Sequence, residues 1–271
     1  MKGWLGAGTL LTILVGTTIG LWLTWDSTRV ESSVGVGAAD AALLFTPTTT
    51  PVEMSDDAET AAAPVPSCGP GDEAALGDPL EDWATIVLDP THRLATDFMP
   101  PDLVPVSEAG FDNSHDMVRR ILIDDLVALR QAAEQAGNPI IVVSAYRSHR
   151  YQEELFERKV EEQGAEVARR STAEAGHSEH HLGTTIDVLD PQHTELTPGF
   201  ADTPAGRWVA EHAPEYGFVL SYPADAFDRA CYEFEPWHLR YVGRDLAREI
   251  VESGLTPREW MLANGPAADA G

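Results

Sequence analysis

Cationic side chains are scarce in this chain: 18 Lys and Arg stand against 44 Asp and Glu, a formal net charge of -26. No local basic patch reverses that field, so a polyanion is repelled and nucleic acid is excluded as a partner. Cysteine is nearly missing. Cys68 and Cys231 are the two present, and without CxxC spacing they argue against a cysteine-built zinc site. The helical HExxH signature is absent, as is any internal repeat. A disordered chain is excluded as well, because 43% of the 271 residues are hydrophobic, enough for an ordinary core in one large domain or two small ones.

Charge is also missing from one long run. Between Lys2 and Asp26 the chain reads WLGAGTLLTILVGTTIGLWLTW, which at about 1.5 Å per helical residue covers the roughly 30 Å hydrocarbon layer. Trp4 at one end and Trp22 and Trp25 at the other suit the two interfaces. The pattern predicts a transmembrane anchor over residues 1–27, with Lys2 cytoplasmic and the rest of the chain outside the cell membrane. Cleavage near VGVGAADA is the alternative, and would release the protein. Residues 28–66 are rich in Thr, Ala, Pro and Ser and read as a flexible linker. Cys68 and Cys231 then lie in an oxidising compartment and are expected to form a disulfide, with two buried thiols as the alternative.

Residues 67–263 carry globular patterning, followed by a flexible tail over 264–271. Val118, Leu122, Leu126, Leu129 and Ala133 recur at helical spacing and predict a helix over 115–136, stopped by Gly137 and Pro139. PIIVVSAY reads as a short buried strand. A helix follows over 151–163, with Ser148 as N-cap and Gly164 as its end. GTTIDVL, YGFVLSY and CYEFEPWHLRY read as further strands, and 204–213 and 243–253 as helices. Helices around a few short strands predict an α+β domain with a central antiparallel sheet.

GHSEHHLGTTIDV places three histidines and an aspartate within 13 residues. Without HExxH, zinc ligands have to come from loops and strands. His180 precedes the strand carrying Asp187, and Gly183 between them permits a tight return of the backbone. His238, in EPWH, can supply a third ligand, which leaves a fourth position for water, the pattern of a catalytic Zn2+ ion. Glu235, three residues before His238, is placed to take a proton from that water and pass it to a leaving amine.

Ser178, His180, Gly183 and Asp187 fit a Ser-x-His-x-x-Gly-x-Ala-x-Asp pattern with Thr185 in place of Ala, and Glu235, Trp237 and His238 fit Glu-x-Trp-His. In both motifs the chain resembles the VanY-type zinc D-alanyl-D-alanine carboxypeptidases of the LAS metallopeptidase superfamily. The resemblance runs from SAYRS, residues 144–148, to HLRYVG, residues 238–243. It implies His180, Asp187 and His238 as zinc ligands, Glu235 as catalytic base and Arg147 as the group steadying the oxyanion. It further implies substrate contacts at Gln152, Ser178 and Trp237. His177 and His181 are expected at the pocket rim or in loops. Ser221 stands where relatives often carry an arginine, and Arg229 or Arg207 are candidates to replace it. The implied activity is removal of the terminal D-Ala from peptidoglycan stem peptides. The alternatives are a peptidoglycan endopeptidase or L,D-carboxypeptidase with the same zinc core, and a binding module of this fold without turnover.

Overall fold

A computed structural model describes residues 67–266. The anchor and linker expected over 1–66 lie outside the described residues, as does the end of the expected tail. Among the described residues no helix is long and apolar enough to cross a membrane.

The described residues open with two short pairs: β1 (Glu73–Ala74) runs parallel to β2 (His92–Arg93), and β3 (Leu103–Pro105) antiparallel to β4 (Met117–Arg119). Helix α1 (Ile123–Gln135), strand β5 (Ile141–Ser144) and helices α2 (His149–Gln163) and α3 (Ala165–Ser171) follow. Next come a 3-10 turn over Glu179–Leu182, β6 (Thr185–Leu189), α4 (Pro204–His212), β7 (Phe218–Leu220) and the single-turn helix α5 (Phe227–Ala230). Strand β8 (His238–Tyr241) and helices α6 (Arg244–Ser253) and α7 (Pro257–Asn264) complete the fold. β5, β6, β8 and β7 form, in that order, a four-stranded sheet in which every pairing is antiparallel. The mixed helix and strand architecture agrees with the expectation from sequence.

Two-residue alternation divides this sheet chemically. Ile186, Val188, Leu239, Tyr241 and Phe218 pack with Leu122, Leu126 and Leu129 of the α1 region in the main core. Asp187, His238 and Arg240, the alternate positions, therefore face the other side. A second apolar cluster joins Val219 and Val242 to Ala247 and Ile250 of α6 and Trp260 and Met261 of α7. Cys68 and Cys231 are disulfide-bonded, closing a separation of 163 residues.

Three expected elements are corrected. The helix predicted from 115 begins only at Ile123, because Val118, fully buried, pairs with Val104 across β3 and β4. That tertiary pairing overrides a helical repeat that happens to continue through a strand. The strand expected over CYEFEPWHLRY shrinks to His238–Tyr241, because Cys231 sits at φ 71 at the end of α5 and Pro236 carries no N–H for a ladder. Asn264, expected in the tail, ends α7 and donates to the Trp260 carbonyl. The capping of α2 is as expected: Ser148 Oγ accepts from the Tyr151 N–H at 3.2 Å.

Candidate metal centre and active-site cleft

The 3-10 turn that carries His180 is shaped by both its ends. Ser178 Oγ accepts the His180 N–H at 3.3 Å, and Gly183 closes the turn at φ 69. Glycine is favoured there by the left-handed backbone angle, and a Cβ would also press on the Leu103 side chain, 2.9 Å from its Cδ2. Behind the turn, His180 Nδ1 meets the Ala145 carbonyl at 2.6 Å, which leaves Nε2 pointing forward. Asp187 on β6 lies opposite His238 on β8 in the strand register. His180 Nε2 is 3.3 Å and His238 Nδ1 3.4 Å from the same oxygen, Asp187 Oδ1.

These three side chains are buried, and one ligand atom from each lies within 4.8 Å of the others. His180 Nε2 and Asp187 Oδ1 have no hydrogen-bond partner among the described residues, a costly arrangement for buried polar atoms unless something else binds them. Tetrahedral zinc with bonds of about 2.1 Å separates its ligand atoms by about 3.4 Å. The two separations from Asp187 Oδ1 match, the third lies within 4.8 Å, and two imidazoles with a carboxylate are a zinc donor set, so the residues fit the ion.

The electrostatics follow from burial and charge. Burial holds the His180 imidazole down to about 4, aided by the Arg147 guanidinium. Burial raises the Asp187 carboxyl, but His180 and Arg147 outweigh it and hold it well below the usual carboxylate range. Arg147 Nη2 donates to Asp187 Oδ2 and Nε to Ser144 Oγ. Glu235 Oε2 is 3.5 Å from His238 Nδ1, and burial pushes its carboxyl up to about 7.

The cluster opens into a cleft of about 390 Å³, the size range of small-ligand sites. Arg147, Gln152, Ser178, Glu235 and Trp237, all expected from sequence, line it together with His180, Asp187 and His238. Gln152 is 1% exposed; its Nε2 donates to the Ala173 carbonyl, while its Oε1 is buried without a partner. Leu155, Lys159 and Gln163 continue the same face of α2 along the wall, and Leu196 and Pro198 stand on the rim.

Other expected residues lie elsewhere. His177 lies in a loop, as expected, and His181 in the 3-10 turn, but both are buried rather than at the rim because each ring is held by backbone: His177 Nδ1 by the Asp89 carbonyl, His181 Nδ1 by the Arg147 carbonyl and Nε2 by the Gly176 N–H. Ser221 points inward to Glu179 Oε2 at 2.6 Å. Arg229 pairs with Glu259, Arg207 donates to the Asp202 carbonyl, and neither lines the cleft. Sequence reasoning missed Glu179, Tyr222 and Tyr232. Both tyrosines line the cleft, and the Tyr222 ring packs tilted against His238 with centroids 4.6 Å apart. Glu179 stands inside the Ser-x-His motif, but nothing in its spacing signals a contact 59 residues away with His238.

Residues 115–244 match the family model "VanY: D-alanyl-D-alanine carboxypeptidase". YodJ of Bacillus subtilis is 35% identical over 173 residues, 62% of this chain and 63% of that one. The bifunctional D-Ala-D-Ala dipeptidase and carboxypeptidase VanXYC of Enterococcus gallinarum is 30% identical over 179 residues, 64% of this chain and 91% of that one. The match thus spans less than two thirds of YodJ but most of VanXYC. Among solved structures, the LdcB LD-carboxypeptidase superposes with a TM-score of 0.61 at 29% identity, covering 71% of this chain and 97% of that one. The vancomycin-resistance D,D-pentapeptidase VanY in complex with Zn(II) superposes with a TM-score of 0.57 at 26% identity, covering 66% and 99%. With both motifs on one cleft and these relatives sharing its fold and sequence, the chain belongs to the VanY family.

Proposed function

We propose that this protein is a zinc D,D-carboxypeptidase that removes the terminal D-Ala from peptidoglycan stem peptides. One observation carries the reading: the unpartnered His180 Nε2 and Asp187 Oδ1 converge with His238 Nδ1, and a partly buried Glu235 carboxyl stands 3.5 Å from that nitrogen. His180, Asp187 and His238 would hold the zinc ion, which would supply Lewis acidity and lower the pKa of a bound water. Glu235, 3.5 Å from His238 Nδ1, would accept a proton from the attacking water and return it to the departing amine as the peptide bond breaks. Arg147 anchors Asp187 through Nη2, and its Nη1, without a protein partner among the described residues, supplies a donor to the developing oxyanion. Gln152 Oε1 accepts a substrate N–H.

The length of the cleft supports a peptide rather than a free dipeptide. From Gln152 to Gln163 the lining face of α2 runs about 16 Å at 1.5 Å per residue, room for roughly five extended residues. Tethering by the segment over 1–27, with the catalytic domain outside the cell membrane, completes the proposal; the Cys68–Cys231 disulfide supports an oxidising location. The likeness to an LD-carboxypeptidase favours a second reading, cleavage of a terminal L,D bond.

The test is zinc analysis of the protein and assay of amino acids released from defined stem peptides ending in D-Ala-D-Ala or in an L,D bond, beside Glu235→Ala. Release of D-Ala from the D,D peptide by wild type alone supports the first reading. Release from the L,D peptide alone transfers it to the second, and zinc binding without any release leaves a binding module.

A further inference from the structure

Glu179 is 5% exposed and takes no part in the chemistry above, yet its carboxylate is fully engaged. Oε2 accepts from Ser221 Oγ at 2.6 Å and lies 2.9 Å from His238 Nε2; Oε1 accepts from Arg240 Nη1 at 2.8 Å. Arg240, 1% exposed, is held in turn through Nη2 by the carbonyls of Trp83 and Ile86. A lone buried carboxylate would be costly, and the guanidinium offsets that cost.

The consequence falls on His238. A neutral imidazole carries one proton, and the nitrogen that donates it cannot bind a metal. With Nε2 beside Glu179, the proton stays there and the lone pair of Nδ1 is directed to Asp187 and Glu235. His180 has the reverse arrangement, with Nδ1 held by the Ala145 carbonyl and Nε2 presented. The two rings meet edge to face at 5.0 Å, a geometry that allows one nitrogen from each to reach the same point.

We infer that Glu179 is the positioning residue that commits His238 to ligation through Nδ1, with Ser221 and Arg240 holding its carboxylate in place. The inference rests on the metal-centre reading above. It also gives Ser221, which replaces the arginine expected at that position, a place in the support of the centre rather than in substrate binding.

Two variants of the full chain separate positioning from packing. Glu179→Leu combined with Arg240→Met removes both buried charges while keeping apolar bulk, and Glu179→Gln keeps an acceptor for His238 Nε2. Zinc affinity, measured by chelator competition, is expected to fall about 10- to 100-fold in the double variant and to be largely retained in Glu179→Gln, with the metal-free proteins still folded by circular dichroism. An affinity unchanged in a folded double variant overturns the inference. Nitrogen-15 spectra of the histidine rings in zinc-loaded wild type give an independent answer if the double variant does not fold: Nδ1 bound and Nε2 protonated at His238 supports it, and Nε2 bound overturns it. Wild type that takes up no zinc would overturn the metal centre itself, a result distinct from either.

Discussion

Asp187 and His238 face each other across adjacent antiparallel strands, so one carboxylate oxygen and one imidazole nitrogen come within 3.4 Å from the two edges of a single ladder position. Strand pairing, more than side-chain flexibility, sets this distance. Asp187→Ala or His238→Ala should lower zinc affinity by more than about 100-fold, beyond what loss of an outer contact does, and abolish peptide release. Metal analysis after dialysis checks this; stoichiometric zinc in either variant would contradict the ligand set.

Glu235 touches His238 but is not needed to hold the ion. Glu235→Ala should keep zinc at the wild-type ratio while kcat falls about 10²- to 10⁴-fold. Steady-state kinetics on a zinc-verified preparation decides it, and a variant within a factor of a few of wild type would remove Glu235 from the proton transfers.

Gln152 carries a buried acceptor without a partner, 1% exposed on the cleft wall. If the substrate supplies the missing donor, Gln152→Met raises KM roughly three- to tenfold, the worth of one hydrogen bond, with zinc content unchanged and a stability cost of about 1–3 kcal/mol from the Ala173 carbonyl that loses its donor. An unchanged KM would assign the side chain to holding Ala173 alone.

Cys68 is tied to Cys231, immediately before the segment that carries Tyr232 and Glu235 along the cleft. Reduction, or Cys68→Ser, should cost about 2–5 kcal/mol of stability. Thermal unfolding with and without reductant reads this directly, and coincident curves would show that the bond adds nothing.

Asp89 and His92 form a buried pair at 2.9 Å, with Arg258 on the other carboxylate oxygen at 2.7 Å. Burial raises the Asp89 carboxyl, but the His92 and Arg258 contacts outweigh it and hold the group below its ordinary 3.8. The stability it contributes is present above the unfolded pKa and is lost as pH falls through the folded value. His92 is raised above 6.5, chiefly by its bond to Asp89; its contribution is full below that value and fades as pH climbs through the folded one. Asp89→Asn should therefore cost roughly 3–5 kcal/mol near neutrality, as for a broken buried pair, and flatten the acid limb of stability. Denaturant titrations across pH would refute this if both proteins lost stability in parallel.

His180, Asp187 and His238 were legible in the sequence as candidate ligands because the chemistry restricts them strongly, and the fold brings them together. Few residue types bind zinc, and a turn closed by Gly183 brings His180 back beside Asp187 with little freedom. Ser148 as a cap was legible for a similar reason, since one side chain meets one backbone group three residues on. Errors arose where contacts distant in the chain decide the outcome. Val118 continues a helical repeat, but pairing with Val104 makes it a strand residue; Cys231 sits in an aromatic run, but φ 71 at the end of α5 breaks it.

Composition and spacing by themselves determined the acidic surface and the apolar core positions, since each depends on residue type and short-range order, and the motif resemblance singled out His180, Asp187 and His238, the cluster able to hold a metal. Only the tertiary structure decided which nitrogen of His238 points to Asp187, that Glu179 and Ser221 lie behind it, and that one face of α2 lines the cleft. Those features depend on orientation between segments tens of residues apart, and a hydrogen bond is specified by angle and distance at its two ends, neither of which a linear pattern records.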